Sequence, residues 1–245
     1  MNLAIEKKSG NKVAIKQVNM MRICELNKDE HVLREKELLD SLRFRHLNII
    51  NLMSTFKDSK NLYFVFEFAP NGTIDDLIRK CHGSIPENAV KILFAQLVNF
   101  MEFIQKEGIM HRDLKTQNIM LDENYNIKII DFGEAKKVAA DKNGNYSFDN
   151  IAVSSHDKER KDTFVGTINY QAPEMITGEA QGFPLDTWAL GVILFKMLVG
   201  QVPFKGTNPK TVYKDIRDRK IGWPDKSTLN EIMSKEAQDL INRIL

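Results

Sequence analysis

Two acids and an amide in two short polar stretches are the residues of this sequence whose types and spacing could support chemistry. The stretch "HRDLKTQN" contains Asp113 and Asn118, and apolar, strand-like residues flank it on both sides. Asp131 follows at the end of a second apolar stretch, "IKII", where a short hairpin would bring it back toward the first two. Carboxylate and amide oxygens at loop positions on a rigid scaffold can bind divalent cations and accept a substrate proton. The alternative interpretation is a turn rich in capping residues.

These residues need a scaffold, and the hydrophobic pattern predicts one with two parts. The first sixty or so residues are rich in strands, with one helical pattern between them, and the rest of the chain is mainly helical. The predicted strands span 2–5, 12–19, 49–56 and 62–68, and the predicted helices span 27–44, 73–81, 86–107, 184–200, 208–218 and 234–245. The pattern thus predicts a small strand-rich lobe joined near "EFAPNG" to a larger helical lobe. The polar stretch 139–162 is aperiodic, and its composition predicts a mobile loop.

Composition narrows the class of protein. Apolar residues make up 42% of the 245 residues, and 35 basic residues nearly balance 33 acidic ones, for a net charge of +2. This charge provides no basic field for nucleic acid or an anionic membrane. Cys24 and Cys81 are far apart and lack metal-ligand spacing, which favours a reducing compartment. Glu6, Lys7 and Lys8 stand where a signal peptide would be apolar. We therefore expect a cytoplasmic protein, with a nuclear location as the alternative.

Long apolar runs are the remaining feature that bears on membranes. The longest, "WALGVILFKMLVG", has 13 residues and is interrupted by Lys196. It is too short to span a bilayer and predicts a buried core helix. We therefore expect no transmembrane segment.

Three motifs in one order resemble the signature set of protein kinases: "HRDL" followed by Asn118, "DFG" at 131–133, and "APE" at 172–174. The resemblance covers essentially the whole chain and implies an α+β, bilobal kinase fold. It implies one domain over 1–245, with residues 1–68 as the small lobe and 69–245 as the large lobe. The implied function is ATP-dependent phosphorylation of serine and threonine in protein substrates, with Mg²⁺ as the metal.

The resemblance also implies roles for the residues of the polar stretches. Asp113 resembles the base that accepts the substrate hydroxyl proton, and Lys115 resembles the lysine with which serine/threonine kinases neutralise the transferred phosphate. Asn118 and Asp131 would hold two Mg²⁺ ions. Phosphoryl transfer needs alignment and charge stabilisation rather than covalent help, and these residue types provide both.

Lys16, at the end of "VAIK", resembles the strand lysine that pairs with the α- and β-phosphates of ATP. Taken alone, a lysine at the end of an apolar strand is usually solvated. Its implied partner is Glu35, and Glu37 is the alternative. We favour Glu35 because Leu38 and Leu39 then share a helix face with it. Four residues would stack as the apolar spine of active kinases, although a simple core role is compatible with each: Leu39, Leu52, His111 and Phe132.

The segment "LYFVFEFAPNG" resembles the hinge that binds adenine. Phe66 would be the gatekeeper, and the backbone from Glu67 to Ala69 would contact the adenine ring. Thr73 stands where many relatives carry an acid that binds ribose, which leaves that contact open. Asp186 in "DTWALG" would brace the catalytic loop from the core helix.

The segment "TFVGTINYQAPE" resembles the activation segment and the peptide-positioning loop of serine/threonine kinases. Thr163 is the predicted activating phosphosite, modified by an upstream kinase or by autophosphorylation, and its phosphate would pair with Arg112. Ser154 and Ser155 are the alternative sites.

At the level of the subfamily, "NLYF", "APNG", "DTFVGTINYQAPE" and "VYKDIRDRKIGWP" resemble phosphoinositide-dependent kinases of the AGC group. The family's Gly-rich loop would lie upstream of Met1, and the arginine that usually pairs with the Glu of "APE" would lie beyond Leu245, so both ends are expected to be truncated. A catalytically weak pseudokinase or scaffold, or an inactive kinase fragment, is the alternative function. We discount a small-molecule phosphotransferase, because it would lack "APE" and the "GT" of the positioning loop.

Overall fold

The structure is a computed structural model, and it describes residues 1–26, 29–138, 146, 168–179 and 181–245. The predicted phosphosite Thr163 and the alternative sites Ser154 and Ser155 lie outside the described residues. The same holds for the predicted mobile loop at 139–162, apart from residue 146.

Four antiparallel strands form the sheet of the small lobe, in the order β1-β2-β4-β3. They are β1 (Asn2–Ile5), β2 (Lys12–Asn19), β3 (Leu52–Lys57) and β4 (Asn61–Glu67). Gly10 adopts a φ of 74° in the turn between β1 and β2, a left-handed conformation that glycine tolerates without a steric penalty. The register pairs Lys16 with Phe64, which sets Lys16 on an inner strand of the sheet.

Two helices accompany this sheet. The first, α1 (Met20–Glu25), was not predicted, and it begins where the Asn19 side chain accepts a hydrogen bond from the backbone N–H of Arg22. The second, α2 (Asp29–Leu42), lies within the predicted span 27–44. Its buried residues include Glu35 and Leu39, so one face of the helix is turned toward the protein interior.

The large lobe is mainly helical. Its helices are α3 (Ile74–Lys80), α4 (Glu87–Lys106), α5 (Pro173–Thr177), α6 (Pro184–Val199), α7 (Pro209–Arg217), α8 (Lys226–Ile232) and α9 (Lys235–Ile244). One face of α4 is buried, whereas α6 is buried on nearly every side and forms the core of the lobe. The short helices α5 and α8 were not predicted.

Two small two-stranded sheets carry the polar stretches. Strand β5 (Ile109–Met110) pairs with β8 (Lys136–Lys137), and β6 (Ile119–Leu121) pairs with β7 (Ile127–Ile129). A 3₁₀ turn at Thr116–Asn118 leads directly into β6. The ends of these short strands therefore bring the residues after β5 and after β7 to one side of the large lobe.

One correction concerns the start of β3. The predicted strand 49–56 begins only at Leu52, because Ile49 and Ile50 associate with Ile129 of β7 instead of with the small sheet. A register shift between Leu52 and Ser54 follows, which marks a bulge at the start of the strand.

A continuous hydrophobic core supports both parts of the chain. It extends from Leu39 and Phe64 in the small lobe to Phe195 and Ile241 in the large lobe. The predicted α+β, bilobal fold is thereby confirmed, whereas the boundary between 68 and 69 stays a prediction. Among the residues that the structure describes, no helix is long and apolar enough to cross a membrane.

Candidate active site

The loop between β5 and the 3₁₀ turn holds Asp113 by two side chains. Lys115 Nζ lies 2.7 Å from Asp113 Oδ2, and both side chains are largely shielded from solvent, with exposed fractions of 19% and 9%. Asn118 Nδ2 donates to the backbone oxygen of Asp113 at 3.0 Å and to Oδ2 at 3.2 Å. The structure therefore brings three of the predicted site residues together around one carboxylate.

Asp186 on α6 anchors the same loop through backbone hydrogen bonds. Asp186 is 1% exposed, and its two oxygens accept the backbone N–H groups of His111 at 2.7 Å and Arg112 at 2.8 Å. Arg112 has a left-handed φ of 67°, a conformation that this pair of hydrogen bonds helps to hold. Burial raises the pKa of Asp186, opposed by His111 and by the two backbone donors. The predicted brace is confirmed.

Lys16 and Glu35 meet between β2 and α2. Lys16 Nζ lies 2.6 Å from Glu35 Oε1, and the Glu35 side chain is 6% exposed. Burial raises the pKa of Glu35, and the adjacent Lys16 charge opposes the rise. The alternative partner, Glu37, lies on the exposed side of α2. The structure thus brings Lys16 to Glu35, while the catalytic roles of both stay predictions.

Asp131 lies just after β7, next to this pair. Its Oδ1 accepts the backbone N–H of Gly133 at 3.0 Å, which closes a tight turn. The charges of Asp131 and Glu134 contribute to the raised pKa of Glu35. Asp131, the predicted metal ligand, therefore belongs to the same site as Lys16 and Glu35.

Behind Asp131, the apolar residues of the predicted spine are all buried. The rings of His111 and Phe132 lie 5.0 Å apart between centroids, and Leu39 and Leu52 are each 1% exposed in the same core cluster. Burial lowers the pKa of His111, and the charge of Asp186 opposes this effect. Packing at this position supports the turn that carries Asp131.

An apolar cavity of about 220 Å³ opens between the two lobes. Its lining residues are Met1, Asn2, Leu3, Ala14, Ile50, Phe66, Glu67, Phe68, Ala69, Met120 and Ile130. The Glu67 side chain contacts Lys128 at 2.9 Å and Asn51 at 3.1 Å. The predicted hinge from Phe66 to Ala69 forms one wall, and the apolar lining of the cavity suits an aromatic ring.

Thr73, at the start of α3, has a structural role in this chain. Its hydroxyl accepts the backbone N–H of Asp76 at 3.2 Å, and Asp76 Oδ2 in turn accepts the Thr73 backbone N–H at 2.7 Å. This reciprocal capping satisfies backbone donors that the first helical turn leaves open. The residue that stands in the ribose-binding position is thus the N-cap of α3.

The oxygen donors present fit Mg²⁺ bound together with phosphate. Asn118 and Asp131 supply an amide and a carboxylate, the hard oxygen ligands that Mg²⁺ prefers. In the described ranges no cluster of three or more His, Cys, Asp or Glu side chains could hold a metal by itself. Mg²⁺ commonly binds through one or two protein ligands and substrate phosphates, so the donor set suits a nucleotide-bound ion.

A buried polar cluster beside the catalytic loop was missed from the sequence. Lys196 Nζ lies within 3.2 Å of oxygens on Asp75, Thr116 and Tyr170. The only signal in the sequence is Lys196 itself, which interrupts the longest apolar run. Its partners lie too far away along the chain for spacing to reveal them.

Comparison with known proteins identifies relatives over nearly the whole chain. A family model described as "Protein kinase domain" matches residues 1–245. The chain is 34% identical over 244 residues to 3-phosphoinositide-dependent protein kinase B of Dictyostelium discoideum, covering 99% of this chain and 24% of that protein. It is 34% identical over 244 residues to the serine/threonine-protein kinase PKH3 of Saccharomyces cerevisiae, covering 98% and 27%.

A mammalian relative shows the same relationship. The chain is 32% identical over 243 residues to 3-phosphoinositide-dependent protein kinase 1 of Rattus norvegicus, covering 99% of this chain and 39% of that protein. The chain therefore spans between about a quarter and two fifths of the length of these three relatives.

Proposed function

The chain belongs to the protein kinase family, and on this premise we propose that it transfers the γ-phosphoryl group of ATP to serine and threonine hydroxyls of protein substrates. The similarity to the serine/threonine-protein kinase PKH3, beside that to the phosphoinositide-dependent protein kinases, supports the choice of serine and threonine. The observation that carries the proposal is the contact of Asp113 with both Lys115 and Asn118.

In the proposed mechanism Asp113 is the base. Its carboxylate accepts the proton of the substrate hydroxyl as the hydroxyl oxygen bonds to phosphorus and the bond to the leaving ADP oxygen breaks. Lys115 places a positive charge next to Asp113, where it offsets negative charge that develops during transfer. Asn118 orients the Asp113 carboxylate through two hydrogen bonds.

Other residues hold the nucleotide. Asn118 and Asp131 would bind Mg²⁺, which when bound neutralises charge on the phosphate oxygens. Lys16, oriented by Glu35, would contact the α- and β-phosphates, and the apolar cavity by Ala69 would take the adenine ring. Because Lys16, Asp113 and Asp131 are all retained, a pseudokinase or scaffold role is not favoured.

Regulation and location complete the proposal. We propose that phosphorylation of Thr163, by an upstream kinase or by the protein itself, activates transfer by adding a strongly charged group that Arg112 can bind. We also propose a cytoplasmic location, because the two free cysteines are separate and suit a reducing compartment.

The function is tested by phosphate transfer from labelled ATP to a mixture of serine-, threonine- and tyrosine-containing peptides in the presence of Mg²⁺. We expect label on serine and threonine after acid hydrolysis and none on tyrosine. A protein that is folded, binds Mg-ATP and transfers no phosphate to any peptide would support the scaffold alternative instead. Label on tyrosine alone would contradict the assignment of Lys115.

A further inference from the structure

Lys196 directs a positive charge into the protein just behind the catalytic loop. It lies on α6, where the neighbouring residues Phe195 and Met197 are fully buried. Its Nζ is 2.7 Å from Asp75 Oδ1 and donates hydrogen bonds to Thr116 Oγ1 at 3.0 Å and to the Tyr170 hydroxyl at 3.2 Å. The side chain is 15% exposed, so these three oxygens replace most of the water around the ammonium group.

The partners of Lys196 come from three other parts of the large lobe. Thr116 is fully buried and begins the 3₁₀ turn, Tyr170 lies in the segment before α5, and Asp75 lies in the first turn of α3. The hydroxyls of Thr116 and Tyr170 are also 2.8 Å apart. Gln117, next to Thr116, donates a hydrogen bond to the other oxygen of Asp75. The cluster therefore connects the catalytic loop to two neighbouring segments.

The pKa shifts of Lys196 and Tyr170 agree with the contacts between these two side chains. Burial lowers the pKa of Lys196, but the Tyr170 and Asp75 oxygens more than offset this effect, so the pKa lies above its usual value. Burial raises the pKa of the Tyr170 phenol, which keeps the hydroxyl neutral. A cation with its charge this well shielded from water is stable only with such partners. The distances show that all three oxygens contact the Lys196 ammonium group.

We propose that Lys196 is a positioning residue for phosphoryl transfer, whose ammonium group holds the 3₁₀ turn against the segment that carries Tyr170. The inference rests on the proposed kinase function. The turn ends in Asn118 and follows Lys115 directly, so its position sets both contacts of Asp113. The Tyr170 segment leads into α5 and is the predicted peptide-positioning loop. Lys196 thereby aligns the catalytic base with the bound peptide.

The kinetic test uses Lys196→Met, which removes the charge and keeps the length, and Thr116→Val, which removes one hydroxyl. In the intact protein we expect Lys196→Met to lower kcat at least about tenfold, since hydrogen bonds to a charged donor are lost. The KM for ATP should stay the same, because Lys196 does not line the apolar cavity. The loss of kcat in the double variant should be smaller than the product of the two single losses, because each single variant already removes the contact between Lys196 and Thr116.

A matched control is Lys106→Met, which breaks an exposed ion pair with Glu102 on α4 and should leave kcat unchanged. An unchanged kcat in Lys196→Met would overturn the proposal. A rise in the KM for peptide at unchanged kcat would also overturn it, because Lys196 would then bind substrate directly.

A second measurement does not depend on activity. Hydrogen exchange should be at least about tenfold faster in Lys196→Met at the amides of Asn118 and Gln171, which bond to Lys115 and Ile168. Exchange in α4 should not change. If Lys196→Met fails to fold, Tyr170→Phe, which removes a single hydroxyl, takes its place in both assays.

The two proposals can fail separately. A wild-type protein without phosphotransferase activity would contradict the kinase function, and the exchange data would still decide the role of Lys196. Equal exchange at both amides in wild type and variant would overturn the positioning role, whatever the activity.

Discussion

The catalytic loop and the Lys16–Glu35 pair belong to the same site but are held in different ways. Asp186 accepts two backbone N–H groups of the loop, and Asp113 has contacts with two side chains. A single contact of 2.6 Å joins Lys16 on β2 to Glu35 on α2. Several contacts therefore hold the loop, whereas the position of Lys16 relative to Glu35 depends on one ion pair.

The largest effect is expected at Asp131, which lies between the two regions. Asp131→Ala should lower phosphate transfer at least about 10³-fold, because a charged metal ligand is removed. The fold should persist, since Asp131 is partly exposed and, within the described ranges, its side chain accepts a hydrogen bond only from the neighbouring Gly133 N–H. Transfer from labelled ATP and thermal unfolding measure the two effects, with Asp239→Ala on α9 as a control. Transfer at the wild-type rate would show that Asp131 is not a metal ligand.

Asp186→Asn tests the catalytic loop, which several contacts hold in place. One oxygen that accepts a backbone N–H becomes an NH₂ group that faces another donor, at a cost of about 1–3 kcal/mol. We expect the free energy of unfolding to fall by this amount, and kcat to fall with it because His111 and Arg112 lose their anchor. Chemical denaturation and steady-state kinetics measure both quantities. A loss of stability with unchanged kcat would mean that Asp186 supports the fold without positioning the loop.

Glu35→Gln tests the single contact. The variant removes the charge that orients Lys16, and we expect kcat/KM for ATP to fall about 10- to 100-fold, as for other hydrogen bonds to charged groups. The free energy of unfolding should change little, because the partner Lys16 remains about one-third exposed and can be solvated. Glu37→Gln, on the exposed side of the same helix, is the matched control. Equal effects of the two variants would contradict the pairing with Lys16.

The sequence predicts these two regions to different extents. Lys16 and Glu35 were assigned from the resemblance to kinase motifs, and the helical spacing of Leu38 and Leu39 favoured Glu35 over Glu37. The shorter helices α1 and α5 were missed, because six and five residues are too few to show helical periodicity. Thr73 was placed inside a helix that it in fact caps, since a capping side chain is defined by its hydrogen bond.

Contacts between distant residues could not be predicted in the same way. Ile49 and Ile50 have strand-like side chains, but their backbone groups bond near Ile129, so the strand starts later than expected. The hydrogen bond between Lys196 and Thr116 spans 80 positions and depends on how four segments pack. The pattern along the chain shows Lys196 as an interruption of an apolar run, but it does not identify the partners of Lys196. The roles of the site residues follow from the resemblance and still require the experiments above.

The smallest expected effect is the pH dependence of the free energy of unfolding, to which Glu35 and Glu87 should contribute with opposite signs. Burial raises the pKa of Glu35, so its stabilising contribution is present below the unfolded value near 4.5 and is lost as pH rises through the folded pKa. Hydrogen bonds from Ser234 lower the pKa of Glu87, so its contribution is present above that value and is lost as pH falls through the folded pKa.

Denaturation at several pH values measures both contributions. The unfolding free energy of the wild type minus that of Glu35→Gln should decrease from about pH 4 to pH 7. The same difference for Glu87→Gln should increase with pH over the acid range. Slopes of the same sign would mean that burial does not dominate at Glu35.

The most direct test of the account is the rate of phosphate transfer by Asp113→Asn. The variant keeps the size of the side chain and a possible contact with Lys115, but it cannot accept the hydroxyl proton. We predict that kcat for a serine peptide falls about 10²–10⁴-fold, the usual contribution of a general base, while the KM for ATP stays near the wild-type value. A variant that transfers phosphate to serine at the wild-type kcat would contradict Asp113 as the base and the mechanism built on it.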